Sequence, residues 1–380
     1  MGRTYKIAVL PGDGIGREVI PEARRVMVEA FGTSELIDLE FHEFECGGEY
    51  FLKTGNEWSE EAEVFTKTEA DAILLGGIGA KGPDGNTVRR PDGNLAGYSV
   101  VIGLRQELDL YANVRPVKLY EGVPTPLAGK GPSDIDMVIV RENTEGLYYP
   151  ARGRFSEPDR NFAYDLRMIT AKASERIARF AYDLAKDRNG APVDKVKRVT
   201  CVDKSNLLAG CQLFREIFDK IGEKYKGVTK DYAYVDAWTL LVVRKPEYYD
   251  VVVAPNAFGD IISDLGGALV GGLGMIPSGN IGDKHAVFEP VHGSAPDIAG
   301  TGQANPIAAL LSTAMMLEWL GKKFEDKGPV KTAGRIRGAI EEVLREGKIR
   351  TQDLCLGEWA GVKPSMTQQV TDEIIRKMKG

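Results

Sequence analysis

Residues 6–17 read KIAVLPGDGIGR, and whether they open a dinucleotide-binding turn decides the fold. An apolar run from Ile7 to Leu10 ends at Pro11 in a glycine-rich turn, and the helix-like stretch REVIPEARRVMVEAFG follows from Arg17. The fingerprint of a standard dinucleotide unit, G-x-G-x-x-G, needs a third glycine three residues after the second. Gly12 and Gly14 fill the first two places, but Arg17 stands at the third. A nucleotide site here is therefore not a standard one. Two readings of the turn stay open: a phosphate contact at a helix N-terminus, or a tight turn alone.

The same alternation of apolar run and amphipathic stretch repeats outward from this turn. It recurs in ADAILLGG (70–77), IDMVIVREN (135–143), VKRVTCVDKSN (196–206) and YDVVVAPNAFGD (249–260). Continuous apolar strands alternating with helices predict an α/β fold with strands buried on both faces. In open α/β sheets ligand groups gather at the carboxyl ends of strands. Those ends carry Asp13, Arg141, Glu142, Asn143, Asp203, Lys204, Asn206, Asn256 and Asp260. Residues 76–97 are rich in Gly and Pro and predict a long functional loop. Residues 266–283, equally Gly-rich, mark a crossing between lobes, and residues 150–163 form a polar insertion read as a protruding arm.

Composition narrows the function. At 380 residues, 43% hydrophobic and 27% charged, the chain has enough length and apolar content for two domains or two lobes. A net charge of -6 gives no general basic footprint, which argues against nucleic-acid binding. No apolar run approaches the roughly 18 residues of a membrane span. Gly2 invites a myristoylation reading, discounted because Tyr5 and Lys6 continue directly into a core strand. The start shows no signal-peptide pattern, and Cys46, Cys201, Cys211 and Cys355 are scattered without zinc spacing. A cytoplasmic protein with reduced thiols is expected. His42, His285 and His292 leave little room for a histidine metal site.

Several stretches carry the chemistry. In VVVAPNAFGDIISDLGG (251–267), Asp260 and Asp264 share one helical face beside Ile261, Ile262 and Leu265. Like charges at that spacing repel by a few tenths of a kcal/mol. Either both acids sit near a helix start, where the dipole favours them, or they converge on a hard cation. Arg105, Arg115 and Arg141 flank or end apolar runs; each alone fits a structural ion pair, but together they suit a polycarboxylate or phosphate. Lys204, just past a strand, is either a solvated lysine or a general base. Asp236 is either an N-cap or a third oxygen donor to the cation. In FEPVHGSAPDIAG (288–300), His-Gly-Ser offers backbone N–H groups, and Asp297 could accept from a ribose diol while repelling a 2′-phosphate. Asn305 precedes a proline that opens a helix.

Together these stretches closely resemble the β-decarboxylating dehydrogenases that act on isopropylmalate, isocitrate, homoisocitrate, tartrate and D-malate. The resemblance runs from AVLPGDGIG through RENTEGLYY, DKSN, FGDIISD and FEPVHGSAPDIAG to MMLEWLG, most of the chain. It implies a two-lobed α/β fold with a mixed sheet that is not a Rossmann fold. It implies a larger, cofactor-binding domain over 1–110 plus 271–380, and a smaller one over 111–270 with the dimer interface, the arm and the metal-binding acids. Asp260 and Asp264 match the acids that bind Mg²⁺ or Mn²⁺, with Asp236, also near substrate, supplied by the partner subunit of a homodimer with shared sites. Higher assembly stays open. Arg105, Arg115 and Arg141 match the clamp on the malate carboxylates; Tyr148 and Lys204 match the catalytic tyrosine and lysine. Asn206, Glu289, His292, Gly293, Ser294, Ala295 and Asn305 match cofactor contacts. Asp297 and Ile298 stand where NADP users carry Lys and Tyr, which implies NAD⁺.

The same resemblance implies that the segment Ser99, Val101, Ile102 sets what is accepted at C3 of the malate. Val101 and Ile102 are the apolar equivalent of two leucines in isopropylmalate enzymes, so 3-isopropylmalate, an intermediate of leucine biosynthesis, is the expected substrate. D-malate or tartrate comes second, because GVPTPLAG (122–129) echoes that branch, and isocitrate or homoisocitrate third. A Mg²⁺-dependent phosphoryl-transfer enzyme would share the acids and arginines but leaves Tyr148, Lys204 and HGSAPDI without roles, and no P-loop is present. A non-catalytic regulatory subunit is disfavoured, since Tyr148, Lys204, Asp236, Asp260 and Asp264 are all in place.

Overall fold

The computed structural model describes residues 3–32, 38–157 and 160–380; Gly2 lies outside them. In chain order its strands are β1 (Thr4–Leu10), β2 (Asp38–Glu43), β3 (Ala72–Leu75), β4 (Ala112–Lys118), β5 (Asp136–Glu142), β6 (Arg152–Glu157), β7 (Arg160–Asp165), β8 (Arg198–Asp203), β9 (Thr229–Tyr234), β10 (Val251–Ala254), β11 (Pro277–Ile281) and β12 (Ala286–Pro290). The chain divides into two compact units: Met1–Asp109 with Tyr120–Pro126 and Val270–Gly380, and Leu110–Leu119 with Leu127–Leu269.

The first unit orders its strands β2-β1-β3-β12-β11. All pairs are parallel except β11 with β12, whose antiparallel register sets Gly279 opposite Phe288. Ile7, Val9, Ile73 and Leu74 are almost wholly buried, as continuous apolar runs in a sheet covered on both faces must be. Helix Ile307–Lys323 packs on β11 and β12 and buries Leu310, Leu311, Leu317 and Leu320 completely. Each such leucine contributes about 1.5–3 kcal/mol of apolar burial.

The second unit orders its strands β4-β5-β10-β8-β9, antiparallel only between β4 and β5. The antiparallel pairs make the fold mixed, as expected. Helix Ala171–Asp187 packs on β5 and β10. The predicted arm is an antiparallel hairpin of β6 and β7, whose Phe155 stacks on Phe162 and Tyr164 although all three are exposed.

The glycine turn after β1 is used for close packing. Gly14 has φ +55°, and a Cβ there would lie 2.1 Å from the carbonyl oxygen of Ser294. The next N–H, that of Ile15, donates to that oxygen at 2.8 Å. The tight packing of the turn on Ser294 is what its glycines make possible. Residues 76–97 contain only isolated bridges, as a long loop should. Residues 266–283, by contrast, include all of β11 despite their glycines.

Candidate active site

The second unit gathers charge on regular elements. Asp260 and Asp264 lie on helix Asn256–Ala268, past its first turn, so the helix dipole does not account for them. Gly259 lets that helix approach β5: a Cβ there would come within 2.7 Å of the Arg141 Cβ. Arg141 Nη1 donates to Asp260 Oδ1, and Arg115 Nη2 lies 3.2 Å from the same oxygen. Arg115 Nη1 is 3.4 Å from Asp264 Oδ1. Tyr148 donates its hydroxyl to Asp260 Oδ2 at 3.0 Å.

Neutral acceptors hold the inner edges of both guanidiniums. Arg141 donates from Nε and Nη2 to Asn256 Oδ1, at 2.9 and 2.7 Å. Asn256 Nδ2 in turn donates to the Glu145 carbonyl at 2.7 Å, tying Arg141 to the loop that leads to Tyr148. Arg115 donates to Asn113 Oδ1 and Ser263 Oγ, both at 2.7 Å. The two arginine side chains are only 7% and 3% exposed, and buried cations must be paired to be tolerated.

Burial raises the Asp264 carboxyl above the usual carboxylate range; Arg115 opposes the shift and Asp260 adds to it. Burial, then the charge of Asp260, raises the Tyr148 phenol, which therefore keeps its proton. A divalent cation fits this donor set. Two carboxylates one helical turn apart are hard oxygen ligands, and a cation between them would relieve their repulsion.

Lys204 and Asp236 sit apart from this cluster. Asp203, the last residue of β8, accepts from Arg215 at 2.8 and 2.9 Å, which fixes the strand end from which Lys204 leaves. Lys204 Nζ donates to Asp236 Oδ1 at 2.5 Å, and this bond holds the Asp236 carboxyl below its ordinary range. Asp236 lies inside helix Val235–Arg244, after the Tyr234 cap, which corrects the N-cap reading. Among the described residues no three His, Cys, Asp or Glu side chains gather as metal ligands, so one chain does not bring Asp236 to Asp260 and Asp264. Asn206 is exposed on the turn after Lys204.

In the first unit the predicted cofactor contacts from His292 to Asn305 lie on the loop after β12. A cleft of about 350 Å³ is lined by His292, Ala295, Ile298 and Asn305, together with Ile15 and Asp353, which the sequence reading missed. His292 Nδ1 lies 2.9 Å from the Gly293 carbonyl, while its buried Nε2 has no partner among the described residues. Burial pushes the imidazole below its usual range. Ser294 donates to the Gly79 carbonyl, and Ala295 takes the strained φ of +38°. Asn305 donates to Asp353 at 2.9 Å and accepts from the Ile307 N–H at 3.0 Å, opening the following helix. An apolar cleft with an unsatisfied ring nitrogen suits the heterocycle of a dinucleotide.

Asp297 is exposed and pairs with Lys81 at 2.8 Å. Glu289 accepts from Arg105 at 3.1 Å and from Asn280 at 2.7 Å, so one predicted cofactor contact and one predicted clamp residue bind each other. Ser99, Val101 and Ile102 lie half-buried on a π-helical turn, Ser99–Gly103, that runs into the helical segment carrying Arg105. Single π-turns occur often at functional positions. The sequence offered no sign of this one, because a five-residue turn is too short to show a period.

A family model described as isocitrate/isopropylmalate dehydrogenase matches residues 6–374. The 3-isopropylmalate/3-methylmalate dehydrogenase of Methanocaldococcus jannaschii is 43% identical over 351 residues, covering 92% of this chain and 94% of the relative. The 3-isopropylmalate dehydrogenase of Aquifex aeolicus is 40% identical over 381 residues, covering 99% and 98%. Among solved structures, an isocitrate dehydrogenase from Methylococcus capsulatus superposes with a TM-score of 0.83 at 35% identity, covering 99% of this chain and 100% of that one. With a mixed sheet fold and an arginine–aspartate–tyrosine cluster beside these matches, the chain belongs to the isocitrate/isopropylmalate dehydrogenase family and is a decarboxylating dehydrogenase.

Proposed function

We propose that this enzyme oxidatively decarboxylates 3-isopropylmalate with NAD⁺ and Mg²⁺ or Mn²⁺. The observation that carries the reading is Asp260, held between Arg115 and Arg141 with the Tyr148 hydroxyl on its second oxygen. The guanidiniums are buried, oriented by Asn113, Ser263 and Asn256, and shaped to bind substrate carboxylates bidentately. Asp260 and Asp264 would hold the cation, whose chemistry is to polarise the oxygen at C2 and stabilise negative charge on it. Lys204, oriented by Asp236, would take the proton of the 2-hydroxyl, and the chemistry that NAD⁺ would supply is the acceptance of hydride from C2. Loss of the β-carboxylate as CO₂ leaves electron density on C3, and Tyr148 delivers the proton there; its raised pKa keeps that proton available.

His292, Gly293, Ser294, Ala295 and Asn305 would hold the adenosine half of NAD⁺, and the charge of Asp297 would disfavour a 2′-phosphate. Val101 and Ile102 meet an alkyl group at C3 without an unpaired charge. The apolar residues Leu240, Leu241, Val243 and Ile261 are 59%, 40%, 40% and 62% exposed on two helices of the second unit, which supports a homodimer covering them. Such a dimer is the means by which Lys204 and Asp236 would serve a partner's Asp260 and Asp264.

NADH absorbance with purified protein, Mn²⁺ and NAD⁺, measured against 3-isopropylmalate, D-malate, tartrate, isocitrate and homoisocitrate in turn, tests the reading. The expected result is a kcat/KM for 3-isopropylmalate about tenfold or more above the rest, roughly 1.4 kcal/mol of transition-state preference. A tricarboxylate as best substrate would overturn the reading of Val101 and Ile102 while leaving the reaction class intact.

A further inference from the structure

We infer that Glu57 is a positioning residue for substrate selection, its buried carboxylate fixing the turn that carries Ser99, Val101 and Ile102. This rests on the reading, given above, that those side chains face the group at C3 of the malate. Glu57 Oε1 accepts from the N–H groups of Gly97 at 2.7 Å and Tyr98 at 3.0 Å, and Oε2 accepts from Ser99 at 2.9 Å. These N–H groups open the helical segment that runs on through Arg105; Val100 and Val101 already donate back to the Gly97 carbonyl. The first N–H groups of a helical segment have no partner inside it. A carboxylate satisfies them and lies at the end of the dipole that favours negative charge.

The carboxylate is itself rigidly held. Its side chain is 6% exposed, and the Glu57 carbonyl accepts from Gly47 at 2.8 Å. Trp58 bridges to Cys46, and Ser59 caps the helix Glu60–Thr68. On the turn, Val100 and Leu104 are buried at 0% and 1% and pin its inner side. Val101 and Ile102 are left half-buried, so their position depends on how the first N–H groups are held. Arg90, from the loop 76–97, reaches Oε2 at 3.4 Å and ties that loop to the same carboxylate. Nothing else in the sequence marks Glu57, because its closest partners are the backbone N–H groups of Gly97, Tyr98 and Ser99.

The experiment uses the full chain with saturating NAD⁺ and Mn²⁺. Glu57→Gln keeps the size and one acceptor oxygen but loses the charge and the second acceptor. The ratio of kcat/KM for 3-isopropylmalate to that for D-malate should change by about fivefold or more, through KM for the malates, with KM for NAD⁺ unchanged. Hydrogen exchange should speed up in the peptide covering 96–104 and in the adjoining loop that Arg90 ties to Glu57, and not elsewhere. An equal fall in kcat for both malates, or an unchanged ratio, overturns the proposal. Ile102→Ala is measured beside it. If Ile102→Ala shifts the ratio and Glu57→Gln does not, Glu57 has no positioning role. If neither shifts it, the reading of the pocket itself fails and takes the proposal with it. Should the Gln variant not fold, Glu57→Asp, which keeps the charge on a shorter arm, is read by the same ratio and exchange.

Discussion

Asp260, Arg115 and Arg141 stand on a helix and two strands of the second unit, while His292, Ser294, Ala295, Asp297 and Asn305 stand on the loop between β12 and helix Ile307–Lys323 of the first. In the second unit the charged groups hold one another: Asp260 has two guanidiniums and a phenol, and removing it leaves all three short of a partner. In the first unit the contacts run through backbone carbonyls and small side chains, as in Ser294 to Gly79 and Ile15 to Ser294. Charge developing in a reaction demands preorganised, mutually fixed groups. Recognition of a cofactor spread over many contacts does not. Single substitutions should therefore hurt the second unit far more than the first.

The largest effect is expected at Asp260. Asp260→Asn should lower kcat by roughly 10³-fold or more and, by leaving buried Arg115 and Arg141 undercompensated, cost about 1–3 kcal/mol in urea unfolding. Ser294→Ala, in the first unit, should only raise KM for NAD⁺ a few-fold, as its neighbours keep their contacts. Equal losses in the two variants would break the contrast. Next comes Lys204→Ala, with kcat down roughly 10²–10⁴-fold. Its unfolding midpoint should shift little, because an ion pair whose Asp236 carboxylate is exposed contributes little to stability. Mixing inactive Lys204→Ala and Asp260→Asn chains should restore some activity if sites are shared between subunits. None after verified subunit exchange would rule out sharing.

The same contrast explains what could be read from the sequence. Asp260 and Asp264 are visible because a helix repeats every 3.6 residues, and Arg141 and Lys204 because strands end in them. Their partners are another matter. Asn256 holding Arg141, Ser263 holding Arg115 and Asp353 holding Asn305 are contacts between residues distant in sequence, and no local period announces them. Asp236 reads equally well as a cap or as a metal ligand; only three dimensions show it bound to Lys204. Least legible are Ile15 and Glu57, which act on backbone groups that every residue possesses. The apolar runs of β1, β3, β5, β8 and β10 are plain in the sequence; β11 is hidden by the glycines around it.

A smaller effect probes the loop side alone. Replacing Asp297 with Lys and Ile298 with Tyr should raise kcat/KM for NADP⁺ about tenfold or more, since a repelling charge becomes an attracting one. Lys81, now paired with Asp297 at 2.8 Å, would be released beside the same position. The malate KM should not move. If it does, the cofactor loop is not as separable from substrate binding as its spread of small contacts implies.

The smallest effect is one of pH, and it belongs to the first unit, which carries all three histidines. Burial lowers the pKa of His292, and burial followed by Lys323 and Lys284 lowers that of His285. An unfolded imidazole takes up a proton below about pH 6.5. In that window the unfolded chain binds protons that the fold refuses, so stability falls as pH drops below about 6.5 and gains nothing from histidine above it. His292→Gln removes one of the two contributions. The drop in unfolding midpoint between about pH 7.5 and about pH 5.5 should be smaller in the variant than in the parent. The carboxyl groups, Asp13 and Glu145 among them with pKa values raised by burial, are common to both proteins and cancel in the difference. An identical drop in the two would mean that water reaches the imidazole, and then the unsatisfied Nε2 would no longer argue for a ligand in that cleft.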